Sequence, residues 1–159
     1  MRLKPVPPVP EGIDAVFDVQ AALPLTPGTE SDCCARVVAR TFVGERGDAE
    51  DWLSFLRALG LARETGGKYV RERGTPDRDE LGNRFREGVY GAREVVAALG
   101  DTPKTGDDVF ESVDIVPRWE RERNPEWEAV WRERVGRLLD WAVLFGLAGR
   151  RNGGYVADG

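Results

Sequence analysis

Trp52–Val70 reads WLSFLRALGLARETGGKYV, and Leu138–Val156 reads LLDWAVLFGLAGRRNGGYV. Gly60, Leu61, Ala62, Gly67, Tyr69 and Val70 therefore recur 86 positions further on without a gap. In each copy a helical stretch ends in Gly-Leu-Ala and is followed by a short strand, a Gly-containing turn and a second strand. In the first copy Trp52, Phe55, Leu56 and Leu59 stand at i, i+3, i+4 and i+7, the spacing of one buried helix face. Asp48, with Asp51 three residues on, marks the expected start of this helix. Self-similarity of this kind means one supersecondary unit present twice.

The repeat extends towards the N-terminus. Leu23–Asp32 reads LPLTPGTESD and Leu99–Asp108 reads LGDTPKTGDD, so Leu, Thr-Pro, Thr and Asp recur at an offset of 76. In both, a Thr (Thr29, Thr105) with an acid three residues later (Asp32, Asp108) has the form of a capping box and opens a second helix. A first helix is expected from Ile13 to about Leu23, with Ile13, Val16, Phe17 and Ala21 on one face and Pro24 and Pro27 closing it. Ahead of it, residues 1–12 form an arm in which Pro5, Pro7, Pro8 and Pro10 favour extended polyproline geometry. The arm is either a strap over the domain or a docking segment. Cys33 and Cys34 align with Val109 and Phe110, which assigns them to core packing. With no His and no further Cys they cannot complete a zinc site, and a redox-sensitive pair is the alternative.

The units implied are 13–73 and 80–159, joined by the polar linker 74–79. The second opens with an expected long helix from about Glu80 to Leu99, on which Phe85, Val89, Ala92, Val96 and Leu99 share a stripe and can serve both units. From Asp32 to Trp52 is 20 residues, but from Asp108 to Leu138 is 30, so the second copy carries ten extra ahead of its third helix. Asn124-Pro125-Glu126 is a helix start, which places the insertion near 124–133 as an N-terminal extension, NPEWEAVWRE. Its Trp127 and Trp131, at i and i+4, either pack on the long helix or form a surface for a partner or a homodimer.

At 41% hydrophobic, with five Trp, six Phe and three Tyr, the chain has the apolar area for two small cores or one shared core. Twenty-three basic against 28 acidic residues give −5, which argues against a general cationic coat. Lysine occurs only at Lys4, Lys68 and Lys104, a balance that resembles salt-adapted proteins. No apolar run approaches the roughly 20 residues of a membrane span, and the first twelve residues lack the form of a secretory signal. A soluble, cytoplasmic protein is expected. Without His, a nucleotide-binding Gly motif or a metal-ligand cluster, neither an enzyme nor a cofactor is expected. The acidic runs Asp77–Glu80 and Asp107–Glu111 fall where helices start, where the helix dipole accounts for them.

The order helix, turn, helix, helix and Gly-tipped hairpin resembles the winged helix-turn-helix family, and LRALGLARETGGKYV looks like its recognition helix and wing. The resemblance implies a mainly α fold with small β-hairpins (α+β), arranged as two tandem winged-helix domains. It also implies a DNA-binding transcription regulator whose third helix enters the major groove while the wing touches phosphates. Winged helices also build non-DNA assemblies, among them condensin accessory subunits and membrane-sorting complexes, so a protein-interaction or scaffold module is the alternative. The first third helix, with Asp48, Glu50 and Asp51 against Arg57, is a poor reader of duplex DNA. The second offers Arg132 and Arg137, while helical projection sequesters Arg134 near the Trp127 and Leu138 stripe. With the wings, the expected nucleic-acid-binding set is Lys68, Arg71, Arg132, Arg137, Arg150 and Arg151, and the expected partner-binding pair is Trp127 and Trp131. Replacing Arg150 and Arg151 by Ala is expected to weaken duplex binding and flatten its salt dependence.

Overall fold

The computed structural model describes residues 5–158. The first half runs α1 (Ile13–Ala21), β1 (Gly28–Thr29), α2 (Glu30–Arg40), α3 (Arg46–Ala58) and a hairpin of β2 (Ala62–Thr65) and β3 (Lys68–Arg71). The second runs α4 (Arg78–Gly88), α5 (Ala92–Ala97), α6 (Gly106–Ser112), α7 (Arg118–Arg123), α8 (Trp127–Leu144) and a hairpin of β4 (Ala148–Arg151) and β5 (Gly154–Ala157). This is the expected α+β arrangement, with two units that each end in a hairpin.

Local chemistry sets the boundaries that recur. Thr29 Oγ1 accepts from Asp32 N at 3.1 Å. Thr105 and Asp108 form the full reciprocal capping box, at 3.1 and 3.0 Å. Helices α3 and α8 end on Gly60 (φ 71°) and Gly146 (φ 76°), both left-handed. Leu61 N reaches Leu56 O at 2.9 Å and Leu147 N reaches Ala142 O at 2.8 Å, the long bond of a Schellman cap. At the hairpin tips Gly66 and Gly67 (φ 59° and 81°) match Asn152 and Gly153 (φ 51° and 77°). Two successive positive φ values make type I′ turns, whose twist suits the flanking strands. In the first half β1 pairs with β3 through Gly28↔Tyr69, and in the second the equivalent pairing is the single bridge Lys104↔Tyr155.

Four boundaries differ from expectation. Helix α3 starts at Arg46 rather than Asp48, with Glu45 ahead of it and no side-chain cap. Helix α4 starts at Arg78, capped by Asp77, whose Oδ1 accepts from Glu80 N at 2.9 Å. The long helix expected to Leu99 is broken. Helix α4 stops at Gly88, Val89 is extended, and Gly91 (φ 88°) turns the chain into α5. A Cβ on Gly88 would lie 2.3 Å from Ala58 O, so the backbone here runs against the end of α3. Val89 and Ala92 remain buried across the break. The extra residues do not simply extend the third helix: a separate helix, α7, precedes 124–133, and α8 begins only at Trp127, after Asn124 Oδ1 accepts from Glu126 N.

A single hydrophobic cluster runs through both halves. The halves meet on equivalent faces of α3 and α8, where Trp52 meets Trp141 edge-on at 5.7 Å and the Phe55 ring lies 4.4 Å from that of Trp141. Helix α4 braces both third helices at their C-terminal ends. Arg84 Nη1 donates to Leu59 O at 3.2 Å, and Arg78 donates to Leu144 O at 2.9 Å and Val143 O at 3.2 Å. Cations at helix C-termini are favourable, and the helix opening the second copy serves both units as expected. The described part of the arm is a strap. Val6 and Pro7 are buried, Arg137 Nη1 donates to Val6 O at 2.8 Å, and Trp141 Nε1 donates to Pro7 O at 2.7 Å. Residues 1–4 of the arm lie outside the described residues.

Candidate nucleic-acid interface

Arg132, Arg137, Arg150 and Arg151, the cations of the second unit expected to contact DNA, all have partners within the chain. Arg132 lies over the Phe110 ring and faces Asp107 at 2.9 Å, Glu128 at 3.5 Å and Glu111 at 3.6 Å. Arg137 pairs with Glu133 at 2.6 Å besides anchoring the strap at Val6 O. Arg134 donates to Tyr90 O and lies against the Tyr90 and Trp131 rings, and burial pushes its pKa down to about 10. On the second hairpin Arg150 is paired with Asp140 and stacked on Tyr155, whose hydroxyl donates to the same Asp140 oxygen at 2.6 Å. Arg151 donates to Asp101 O. Arg71, on the first hairpin, clamps the end of α1 by donating to Ala21 O at 2.5 Å and Leu23 O at 2.8 Å. Of the six cations expected to contact DNA, five are thus engaged internally. Lys68, exposed at the first hairpin tip, has no partner among the described residues.

The first unit carries exposed ion pairs on α3 and its hairpin. Arg46, Arg57 and Arg63 pair with Glu50 (3.2 Å), Glu64 (3.3 Å) and Glu72 (2.7 Å), their side chains 60%, 57% and 61% exposed. Each has one carboxylate partner, and exposed pairs of this kind contribute only about 0–1 kcal/mol. Arg73 is exposed beyond the hairpin. The flank of α3 and the first hairpin therefore present Arg46, Arg57, Arg63, Lys68 and Arg73 in exchangeable positions. Counting acids along α3 hid this. The Arg46–Glu50 spacing of four was the available signal, since it makes one of those acids a surface counter-ion.

The packing of α3 against α8 also limits how duplex DNA could be met. Helices in direct contact have axes about 8–10 Å apart. Two half-sites read by a pair of recognition helices are separated by roughly 34 Å. Trp52, Phe55 and Trp141 fill the space between the two third helices, so the faces that meet there are not available to a groove.

Of the two alternatives for the tryptophan pair, packing within the chain or a surface for a partner, the structure shows packing for Trp131 and partial cover for Trp127. Trp131 is buried, donates Nε1–H to Glu120 Oε2 at 3.2 Å and meets the Tyr90 ring edge-on at 5.9 Å. Trp127 is half-buried under the Arg121 guanidinium, 4.8 Å from the ring centroid. Helix α7 and the break at Tyr90 cover the pair, because the long helix expected to do so does not exist. Among the described residues the exposed large apolar side chains are Leu25, Phe42, Tyr90 and Val130. Cys33 and Cys34 are free and buried, as is Val109 at the position equivalent to Cys33. The Cys33 thiol donates to Gly28 O and Tyr69 O at 3.7 and 3.8 Å. Burial pushes both thiols up, Cys34 to about 11. Among the described residues no three His, Cys, Asp or Glu side chains are placed to hold a metal ion, and no helix is long and apolar enough to cross a membrane.

Comparison with known proteins is consistent with this geometry. A family model described as the halobacterial double winged helix domain matches residues 1–159. No curated protein and no solved structure matches.

Proposed function

The chain belongs to the halobacterial double winged helix domain family, and on that premise we propose that it is a transcription regulator that contacts duplex DNA through its first unit. The exposed flank of α3 and the first wing make the contact, and the second unit acts as a fused brace. The observation that carries this reading is the contrast between exchangeable and locked cations. Arg46, Arg57 and Arg63 are largely exposed and each has one half-buried carboxylate partner, and Lys68 and Arg73 have none among the described residues, whereas Arg132 faces three carboxylates, Arg137 anchors the strap and Arg151 donates to a backbone carbonyl. Exchanging a surface carboxylate for a phosphate costs little, while withdrawing Arg137 from Val6 O loosens the strap. The protein's overall acidity does not oppose a contact of this size, because electrostatic attraction is screened within about a Debye length.

The test is an electrophoretic shift with random-sequence duplex at two salt concentrations, beside a size measurement of the free protein. Replacing Arg57, Lys68 and Arg73 by Ala is expected to weaken binding and to lower the salt slope by about one for each phosphate that is no longer neutralised. Replacing Arg150 and Arg151 by Ala is expected to leave the slope as it is. An unchanged slope in the first variant removes the first unit from the interface. A second reading, a protein-binding module that uses the fold without DNA, is favoured by the carboxylates Glu50, Glu64 and Glu72 standing beside three of the cations. It predicts no shift at either salt concentration.

A further inference from the structure

The strap, the loop after α2 and the first turns of α3 enclose a groove of about 600 Å³. Its walls are apolar, with Pro8 and Val9 of the strap on one side and Val43 and Trp52 on the other, and Phe42 at the rim. Phe42 is 57% exposed although its neighbour Val43 is buried. The loop holds it there: Thr41 Oγ1 donates to Val37 O at 2.7 Å and accepts from Val43 N at 3.1 Å, which fixes the backbone on both sides. The Phe42 ring meets Trp52 edge-on at 5.8 Å, so the exposed aromatic belongs to a wall and is not a loose side chain.

The charged groups at the groove are Glu11 and Asp48. Both are exposed, and neither has a partner among the described residues. Arg46, the basic side chain nearest in sequence to Asp48, is turned away to Glu50 and Ser31, at 3.2 Å each. The first turn of α3 adds a partial positive charge at its amide groups, and Asp48 lies in that same turn to offset it. An apolar groove with one exposed aromatic ring, Phe42, and two exposed carboxylates in its lining complements a bulky apolar group that carries positive charge, because a ring face and carboxylates both attract cations. An anion of the same shape is repelled by Glu11 and Asp48. We propose that this groove is a binding site for a lipophilic organic cation. The inference does not depend on DNA contact.

The experiment uses two ions of nearly the same shape and opposite charge, tetraphenylphosphonium and tetraphenylborate, titrated into the full chain at fixed salt and followed by calorimetry and tryptophan fluorescence. The phosphonium is expected to bind saturably at one site and at least about tenfold more tightly than the borate, a ratio of roughly 1.4 kcal/mol. Glu11→Gln together with Asp48→Asn is expected to narrow that ratio, and Phe42→Ala to weaken both ions, with circular dichroism showing the fold kept. Asp114→Asn with Asp158→Asn, exposed carboxylates elsewhere in the chain, is expected to change nothing. Equal binding of the two ions, absence of saturation, or an equal loss in the distant variant would overturn the assignment and leave only the general attraction of an acidic protein for cations.

Discussion

Phe55 and Trp141 occupy the same position in the two copies of the repeat, and their rings lie against each other with centroids 4.4 Å apart and planes at 40°. Each unit thus closes its own core partly with the equivalent residue of the other. The continuous hydrophobic cluster implies that neither half completes its burial alone.

Unfolding is therefore expected to be a single cooperative transition, with circular dichroism and tryptophan fluorescence melting together. Trp141→Ala is expected to lower stability by about 3–5 kcal/mol, since it removes a large buried side chain that touches both units. Two separable transitions in the unaltered protein would contradict the shared core.

Gly88→Ala tests the contact between α3 and α4. A Cβ at Gly88 would lie 2.3 Å from Ala58 O, a backbone atom that cannot rotate away. A loss of about 1–3 kcal/mol is expected from the overpacking in a denaturant titration. Gly100→Ala, where a Cβ meets nothing within 4 Å, serves as the neutral comparison.

The strap contributes through Val6 and the bond from Trp141 to Pro7 O. Removing residues 1–7 exposes apolar surface and leaves the buried indole N–H without its acceptor, with an expected cost of about 2–4 kcal/mol. A truncated chain as stable as the full one would show that the strap is only laid on the surface.

The thiols predict a pH effect of defined sign. Burial, followed by Glu30 and Glu50, pushes Cys34 from 9.0 to about 11. The folded state thus holds this proton more tightly than the unfolded chain does. The associated stability is fully present below about pH 9 and declines as pH rises towards 11. Tyr155, pushed up to about 12 by burial and its bond to Asp140, extends the decline further. Denaturant titrations at pH 7, 9 and 10.5, with Cys34→Val for comparison, measure it. At pH 7 both cysteines are expected to resist alkylation until the protein unfolds.

Features fixed within a few residues were legible in the sequence. The Thr105–Asp108 box, the Gly60 and Gly146 caps and the Gly66-Gly67 and Asn152-Gly153 turns all depend on neighbours close in the chain. The fate of the arginines was not legible, because it depends on partners far away. Arg137 reaches Val6 across 131 positions, and Arg71 reaches Leu23 across 48. The close approach at Gly88 is likewise tertiary, since the group that demands a glycine there is Ala58 O in another element, whereas the turn into α5 is made locally by Gly91. Helical spacing correctly aligned Trp127 and Trp131 along α8, but it could not reveal α7 folded over them.

Contact between like faces is the geometry of an isologous dimer. Here both subunits are carried on one polypeptide, joined between β3 and α4 by residues 72–77. Covalent joining makes the association independent of protein concentration, so dilution cannot separate the pair. It also frees the two copies from having to stay alike: one could keep a plain helix pair while the other acquired a helix of its own, without either losing its partner.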